Sequence, residues 1–450
     1  MEKFENLPIE ELIRANGFDC DCGVHHGVDV KYLKIASGAI ALVPDAVKAC
    51  GCNKPFVVCD KNTYEAAGRK VEEVLAGASV PYTLFIIPDN GLEKMEPDER
   101  ALGSIAMNYD TSCDMIAAVG SGVINDLCKV FAFDLNVPQM IIGTAPSMDG
   151  FASNSSSMVV NGVKTTLYNR CPAAIILDTD VLSKAPIRML WAGLGDMAAK
   201  YISICEWRIA KCVIGEYYCE HVAQLMRNAL KKIMAASSTL ALRDPVAVQA
   251  VAEGLVLSGF AMSFAKVSRP ASGLEHYFSH MWEMMALERG LASDLHGIQV
   301  GVGTVLTMRI YEDIKKLVPS REKAENAMKA FDEKAWEARV RRVFGRTGEQ
   351  VLAIERKTKK NDPEKHARRL SNTLDNWDAI QKIISEELPE YDWLIGKMKE
   401  TGMPIEPQDI DISHDDVVDA FVCSRDIRDK YLSGSMLWDL GEMDDFAKRL

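Results

Sequence analysis

The chain has 450 residues and a formal net charge of −12. That balance excludes a general attraction to nucleic acid or to an anionic membrane surface, so an anionic ligand needs a local cluster of Lys, Arg or backbone N–H groups. Hydrophobic residues make up 48% and charged residues 26%, a globular composition whose length suits two domains better than one. No apolar run approaches the ~20 residues of a bilayer span. The acidic, amphipathic start Met1–Arg14 is unlike a signal peptide. Twelve cysteines in that setting read as reduced thiols of a cytoplasmic protein.

In chain order, Cys20, Cys22 and His25 form C-x-C-G-x-H with His26 beside it, and Cys50 and Cys52 form C-x-C. Together they offer soft ligands for zinc. Their one-residue spacing is tighter than the usual two to four, so thiols without metal in an N-terminal hairpin are the preferred reading. Short apolar runs follow at Phe56–Asp60, Tyr82–Pro88, Met115–Val119, Gln139–Ile142 and Ala174–Leu177, alternating with helical patterns. Strands buried on both faces read this way, and the alternation predicts a parallel α/β sheet. Asn161-Gly162 between β-formers in Ser157–Tyr168 predicts a hairpin.

From Asp180 onward long Ala-, Met- and Leu-rich helical patterns dominate. Cys205, Cys212 and Cys219, seven residues apart, are expected on one helix face. Segment 316–404 is highly charged and reads as solvated helices. The expected architecture is a Rossmann-like α/β domain over 1–180 and an all-α domain over 181–450.

Four features carry chemistry. The junction Gly120-Ser121-Gly122-Val123-Ile124-Asn125-Asp126 ends a strand and opens a helix, where backbone N–H groups and the helix dipole receive a phosphate. Asp60 ends the first run, where a carboxylate suits the ribose of a dinucleotide and disfavours a 2′-phosphate; a helix N-cap explains it equally. Thr144-Ala-Pro-Ser147-Met-Asp149-Gly-Phe-Ala-Ser153 leaves another strand end with hydroxyls and one carboxylate. Asp196, His276 and His296 offer one carboxylate and two imidazoles, a set for a catalytic divalent metal with open positions. His280 lies one helical turn beyond His276, as a further ligand or an acid.

With these motifs in this order, the chain resembles the dehydroquinate synthase-like, iron-type alcohol dehydrogenase superfamily. Within it the chain is most similar to the sn-glycerol-1-phosphate dehydrogenase family. The superfamily pattern G-G-G-S-x-x-D-x-x-K reads here from Gly120 to Lys129, with Asp126 and Lys129 kept and the middle Gly and the Ser changed. Thr144–Ser153, Asn161–Lys164, Gly195–Tyr201, Ser268–His276, the Ile427-Arg-Asp-Lys-Tyr run and the Leu437-Trp-Asp-Leu-Gly run resemble the narrower family. The resemblance implies a cleft between the two domains. It places metal ligands at Asp196, His276 and His296, and NAD(H) or NADP(H) against Asp60, Gly120, Ser121, Gly122, Asn125, Asp126, Thr144, Ser147 and Ser153. The metal is expected to be zinc, with nickel and iron as alternatives.

The expected reaction is reversible reduction of dihydroxyacetone phosphate to sn-glycerol 1-phosphate. Asp149 and His280 are its catalytic candidates, and Lys164 and Lys200 its candidates for the substrate phosphate. A homodimer or larger homo-oligomer is expected. The rival readings are a glycerol or polyol dehydrogenase, a lyase like dehydroquinate synthase, and a silent metal- or nucleotide-binding regulator.

Overall fold

The computed structural model describes residues 3–89, 95–161 and 163–450. It divides into two compact units. The first comprises Met1–Met197 and Glu220–Ser268, the second Ala198–Cys219 and Arg269–Leu450.

The first unit is built on eight strands: β1 (Tyr32–Ala36), β2 (Pro55–Asp60), β3 (Thr83–Ile87), β4 (Met115–Gly120), β5 (Gln139–Gly143), β6 (Ser155–Val160), β7 (Val163–Tyr168) and β8 (Ala174–Asp178). Six form one sheet in the order β1-β8-β5-β4-β2-β3, every pair parallel. All five apolar runs are strands of it. β4, β5 and β8 are buried along their whole length, as strands covered on both faces must be. β1, not expected from the sequence, alternates half-buried and buried residues at the sheet edge. β6 and β7 pair antiparallel as a separate ribbon. The expected hairpin is therefore present, although its Gly162 lies outside the described residues.

The strand order fixes where a ligand goes. From β2 the chain steps outward to β3, then returns to the other side of β2 as β4 and continues to β5 and β8. The reversal lies between β2 and β4, and ligands of open α/β sheets bind beyond the carboxyl ends of strands at such a point. Val58 pairs with Ala118. Two residues further along, Asp60 and Gly120 therefore end their strands at the same level.

Seven helices matter below: α1 (Gly122–Asp134), α2 (Ile187–Ala198), α3 (Lys200–Ile214), α4 (Glu220–Ala236), α5 (Pro245–Ala265), α6 (Leu274–Arg289) and α7 (His296–Ile314). α4 and α5 belong with the sheet, which corrects the division expected at residue 180. The reason is tertiary. α5 is the one described helix long and apolar enough to cross a bilayer, and it spends that surface inside the first unit. A Cβ on its Gly259 would meet the Ala152 backbone at 2.8 Å. The charged segment forms six helices between Arg321 and Glu400. They are amphipathic rather than wholly solvated, burying Val340, Leu370, Ile380, Ile384 and Leu394.

Two cysteine expectations are corrected. Gly215, with φ +69°, ends α3 after Ile214, so Cys219 does not share the helix of Cys205 and Cys212. Cys50 and Cys52 do not join Cys20 and Cys22. They sit in the core of the sheet, where burial pushes the Cys50 thiol up to about 11.

A Cβ on Gly193 of α2 would lie 2.0 Å from the Pro146 carbonyl oxygen. Gly193→Ala should therefore force α2 away from the Thr144–Ser153 loop and destabilise the protein by about 1–3 kcal/mol. Equilibrium denaturation checks this; unchanged stability would mean that α2 and the loop are not in close contact.

Candidate active site

Within the first unit, the end of β4 and the start of α1 form a cradle. A Cβ at Gly120 would strike the Ile124 side chain at 2.6 Å, so only glycine lets the chain turn this tightly into the helix. The Ser121 and Ser147 hydroxyls lie 2.7 Å apart, and the Thr144 N–H donates to the Gly120 carbonyl at 3.0 Å. The expected loop thus lies against the glycine turn. Asn125 is fully buried; its Nδ2 donates to the Gly150 carbonyl at 3.2 Å and its Oδ1 accepts from Gln139 at 3.2 Å.

Lys129 anchors the same loop. Its ammonium donates to the carbonyls of Gly150 at 3.0 Å and Ser155 at 2.8 Å and to the Ser153 hydroxyl at 3.2 Å. Asp126 stands 3.6 Å from that ammonium and accepts the Ser157 N–H at 2.9 Å. Asp126, Asn125 and Ser153 therefore shape the cradle, while Gly120, Ser121, Gly122, Thr144 and Ser147 line it. Asp60 caps its own helical turn: one carboxylate oxygen accepts the Thr63 N–H at 2.7 Å. The cap reading of Asp60 holds, and the residue is half-buried at the end of β2.

On the same unit, the Asp149 N–H donates to Asp196 Oδ2 at 3.0 Å, and the Ser258 hydroxyl donates to Asp149 Oδ2 at 2.8 Å. Asp196 is completely buried on α2. A carboxylate this far from water needs charge-assisted partners.

The second unit gathers three histidines at the starts of α6 and α7. The ring centroids of His276 and His280 lie 5.5 Å from that of His296 and 6.3 Å from each other. Each ring has its Nδ1 against a carboxylate: His276 at 2.8 Å from Glu275, His280 at 3.3 Å and His296 at 3.1 Å from the two oxygens of Glu283. An imidazole whose Nδ1–H is engaged by a carboxylate presents Nε2 as an oriented, more basic ligand. Glu275 and Glu283 were not singled out in the sequence, although one adjoins His276 and the other lies three residues past His280. His280, Glu283 and His296 also bring ligand atoms within 4.8 Å of one another. Burial, reinforced by the Arg428 charge, pulls His280 well below its ordinary range.

Cationic side chains act electrostatically on this region. The Arg428 charge acts on His280, Tyr277 and Lys430 alike. Lys430 is pulled down to about 7 by burial and then by Arg269 and Arg428, and donates to the Ser272 carbonyl at 3.2 Å. Buried Arg269 Nη1, Ser272 Oγ and Tyr277 Oη have no hydrogen-bond partner among the described residues. Such groups cost about 1–3 kcal/mol each unless a ligand or water satisfies them. Lys200, expected at the substrate phosphate, is fully buried and donates to the Ala271 carbonyl at 3.0 Å. Lys164 lies on β7 and lends its charge to Asp126.

Two predictions follow from these geometries. His276→Ala and His296→Ala should each lose bound metal, measured by mass spectrometry of metal content, and Glu283→Gln should weaken metal affinity about 10- to 100-fold. Full stoichiometry in both histidine variants would remove them as ligands. Asp60→Ala should narrow any preference for NADH over NADPH in kcat/KM, and an unchanged ratio would leave Asp60 with its capping role alone.

Residues 34–186 match the family described as iron-containing alcohol dehydrogenase. The glycerol-1-phosphate dehydrogenase (NAD(P)+) of Halalkalibacterium halodurans is 33% identical over 296 residues, 66% of this chain and 74% of that one. The enzyme of the same name from Geobacillus thermodenitrificans is 33% identical over 313 residues, 70% of this chain and 77% of that one. Among solved structures, glycerol dehydrogenase from Schizosaccharomyces pombe shares the fold with a TM-score of 0.60 at 15% identity, covering 93% of this chain and 90% of that one. With a glycine turn at the β2–β4 reversal, carboxylate-oriented histidines on α6 and α7, and these relatives, the chain belongs to the glycerol-1-phosphate dehydrogenase family.

Proposed function

We propose that this enzyme reduces dihydroxyacetone phosphate reversibly to sn-glycerol 1-phosphate with NADH or NADPH. The observation that carries the phosphate requirement is the buried set Arg269 Nη1, Ser272 Oγ and Tyr277 Oη, which among the described residues lacks hydrogen-bond partners beside the charges of Arg428 and Lys430. In a chain with net charge −12, a local group of cations of this kind is what an anionic ligand needs. The relatives named above act on glycerol 1-phosphate by their names, in keeping with this reading.

Asp196, His276 and His296 would hold one divalent metal; the donor set of two Nε2 atoms and a buried carboxylate suits zinc, nickel or iron. When bound, the metal polarises the ketone and the nicotinamide supplies the hydride. The chain does the rest. Gly120, Ser121 and Gly122 with the first turn of α1 receive the cofactor pyrophosphate, and Asp60 takes a ribose hydroxyl. Asp149, held by Ser258, positions the nicotinamide or a substrate hydroxyl. His280 has Nδ1 on Glu283, which leaves the Nε2 lone pair to relay a proton between solvent water and the C2 oxygen, from water in reduction and to water in oxidation. Lys200 and Lys430 fix the Ala271 and Ser272 carbonyls and so shape the phosphate loop. Lys164 is a further contact for an anionic group at the ribbon. The reaction is placed in the cytoplasm, in keeping with twelve cysteines of which none forms a disulfide.

Kinetics with paired substrates test this. Each charge-assisted bond to the phosphate is worth roughly 1.5–3 kcal/mol, so dihydroxyacetone phosphate should exceed dihydroxyacetone in kcat/KM by about a hundredfold or more. Ser272→Ala and Tyr277→Phe should each erode that ratio about tenfold while leaving activity on dihydroxyacetone intact. Equal use of both ketones by the wild-type enzyme would make it a plain polyol dehydrogenase. A ratio kept in both variants would move the phosphate site elsewhere.

A further inference from the structure

The N-terminal hairpin holds a second group of metal-binding side chains, separate from the three histidines. Phe18 and His26 exchange backbone hydrogen bonds, Phe18 N–H to the His26 carbonyl at 2.7 Å and His26 N–H to the Phe18 carbonyl at 2.9 Å. Between them the Gly23 N–H donates to the Cys20 carbonyl at 3.1 Å, with Gly23 at φ +83°. This turn brings the Cys20 and Cys22 thiols and a ring nitrogen of His26 within 4.8 Å of one another. The next residue back, His25, instead turns to Asp19 at 2.8 Å.

His26 is set up as a ligand. It is completely buried, and its Nδ1 lies 2.8 Å from the Phe264 carbonyl, so that nitrogen carries the proton. Nε2 is left as the lone pair, 3.3 Å from the Cys22 sulfur. Around a tetrahedral zinc the S···N edge is about 3.5 Å, from bond lengths of about 2.3 and 2.0 Å. The ring stacks on Phe264 and meets Phe4 edge-on, an apolar wall that excludes water.

The start of α4 lies against this same turn. His221 approaches Asp21 at 3.3 Å and Glu5 at 3.0 Å. Cys219 precedes that helix by one residue, so its position follows from the covalent chain, and its buried thiol completes the group. We propose that Cys20, Cys22, His26 and Cys219 form a structural Cys3His zinc site that ties the N-terminal hairpin to the start of α4. Three thiolates and one imidazole close the tetrahedron, which suits a structural rather than a catalytic metal. The C-x-C spacing is tight, but the third thiol and the imidazole come from other positions, so the spacing does not prevent closure.

Cobalt(II) titration of the full chain tests the site, because thiolate-to-cobalt charge transfer in the near ultraviolet marks sulfur ligands and the histidine–aspartate set gives none. Cobalt in excess of two equivalents should develop that band to the same height in the wild-type protein, in His276→Ala and in His296→Ala. Failure of the catalytic metal assignment therefore leaves this result unchanged. Cys22→Ser and Cys219→Ser should each lose a large part of the band, and His26→Gln should weaken cobalt affinity at least tenfold. Zinc should also slow alkylation of Cys20 and Cys22 in the wild-type protein by iodoacetamide, a readout that needs no variant to fold. Cobalt uptake without the band, a band unaltered in Cys22→Ser, or alkylation at equal rates with and without zinc would overturn the proposal.

Discussion

A histidine ring presents a lone pair in a chosen direction only when its other nitrogen is occupied, and much of this active site depends on that constraint. Glu275 occupies Nδ1 of His276, and the two oxygens of Glu283 occupy those of His280 and His296. The carboxylates are themselves held in a costly place. Glu275 also accepts the Gly273 N–H at 2.7 Å, and neighbouring Glu206 is pushed up to about 7 by burial and by Glu275. Glu206 is then satisfied by the N–H groups of Leu274 and Ser433, both at 2.9 Å. Buried acids are thus concentrated at the first turn of α6, where the helix dipole favours negative charge. The orientation of the three imidazoles follows from that arrangement.

The electrostatics of the second unit separate two tasks. Carboxylates orient the imidazoles, while Arg269 belongs to the loop that precedes α6 and Lys430 donates to its Ser272 carbonyl. Arg269 is tied to Glu216 by a double contact and to the Tyr431 carbonyl at 2.9 Å, yet leaves Nη1 unmatched. A guanidinium fixed in that way is pre-organised for a planar or tetrahedral anion. In the first unit, by contrast, the glycine turn offers backbone N–H groups and hydroxyls, and Lys129 is committed to three oxygen atoms of the loop.

The parallel sheet was legible because β2, β4, β5 and β8 are buried on both faces and so read as continuous apolar runs. β1 escaped notice because an edge strand is half-buried and alternates, as Tyr-Leu-Lys-Ile-Ala does. The glycine turn and the Thr144–Ser153 loop were legible as motifs, and the structure brings them together as the resemblance implied. Glu275 and Glu283 could have been found, since helical spacing puts a carboxylate next to each histidine. The placement of α4 and α5 with the sheet could not, because an apolar helix does not say which neighbour it packs on. Nor could the grouping of Cys20 and Cys22 with His26 rather than with Cys50 and Cys52. C-x-C spacing is local, while the choice of partner depends on where Phe264 and the start of α4 lie in space.

The most direct test of the account is the configuration of the product. Dihydroxyacetone phosphate should be reduced by the purified protein with stoichiometric NADH or NADPH, and the glycerol phosphate formed should be offered to an enzyme specific for the sn-3 enantiomer. The account predicts product that this enzyme leaves untouched, together with loss of turnover when the metal is chelated and its return when metal is restored. Formation of the sn-3 enantiomer, or release of inorganic phosphate without net oxidation of the nicotinamide, would contradict it.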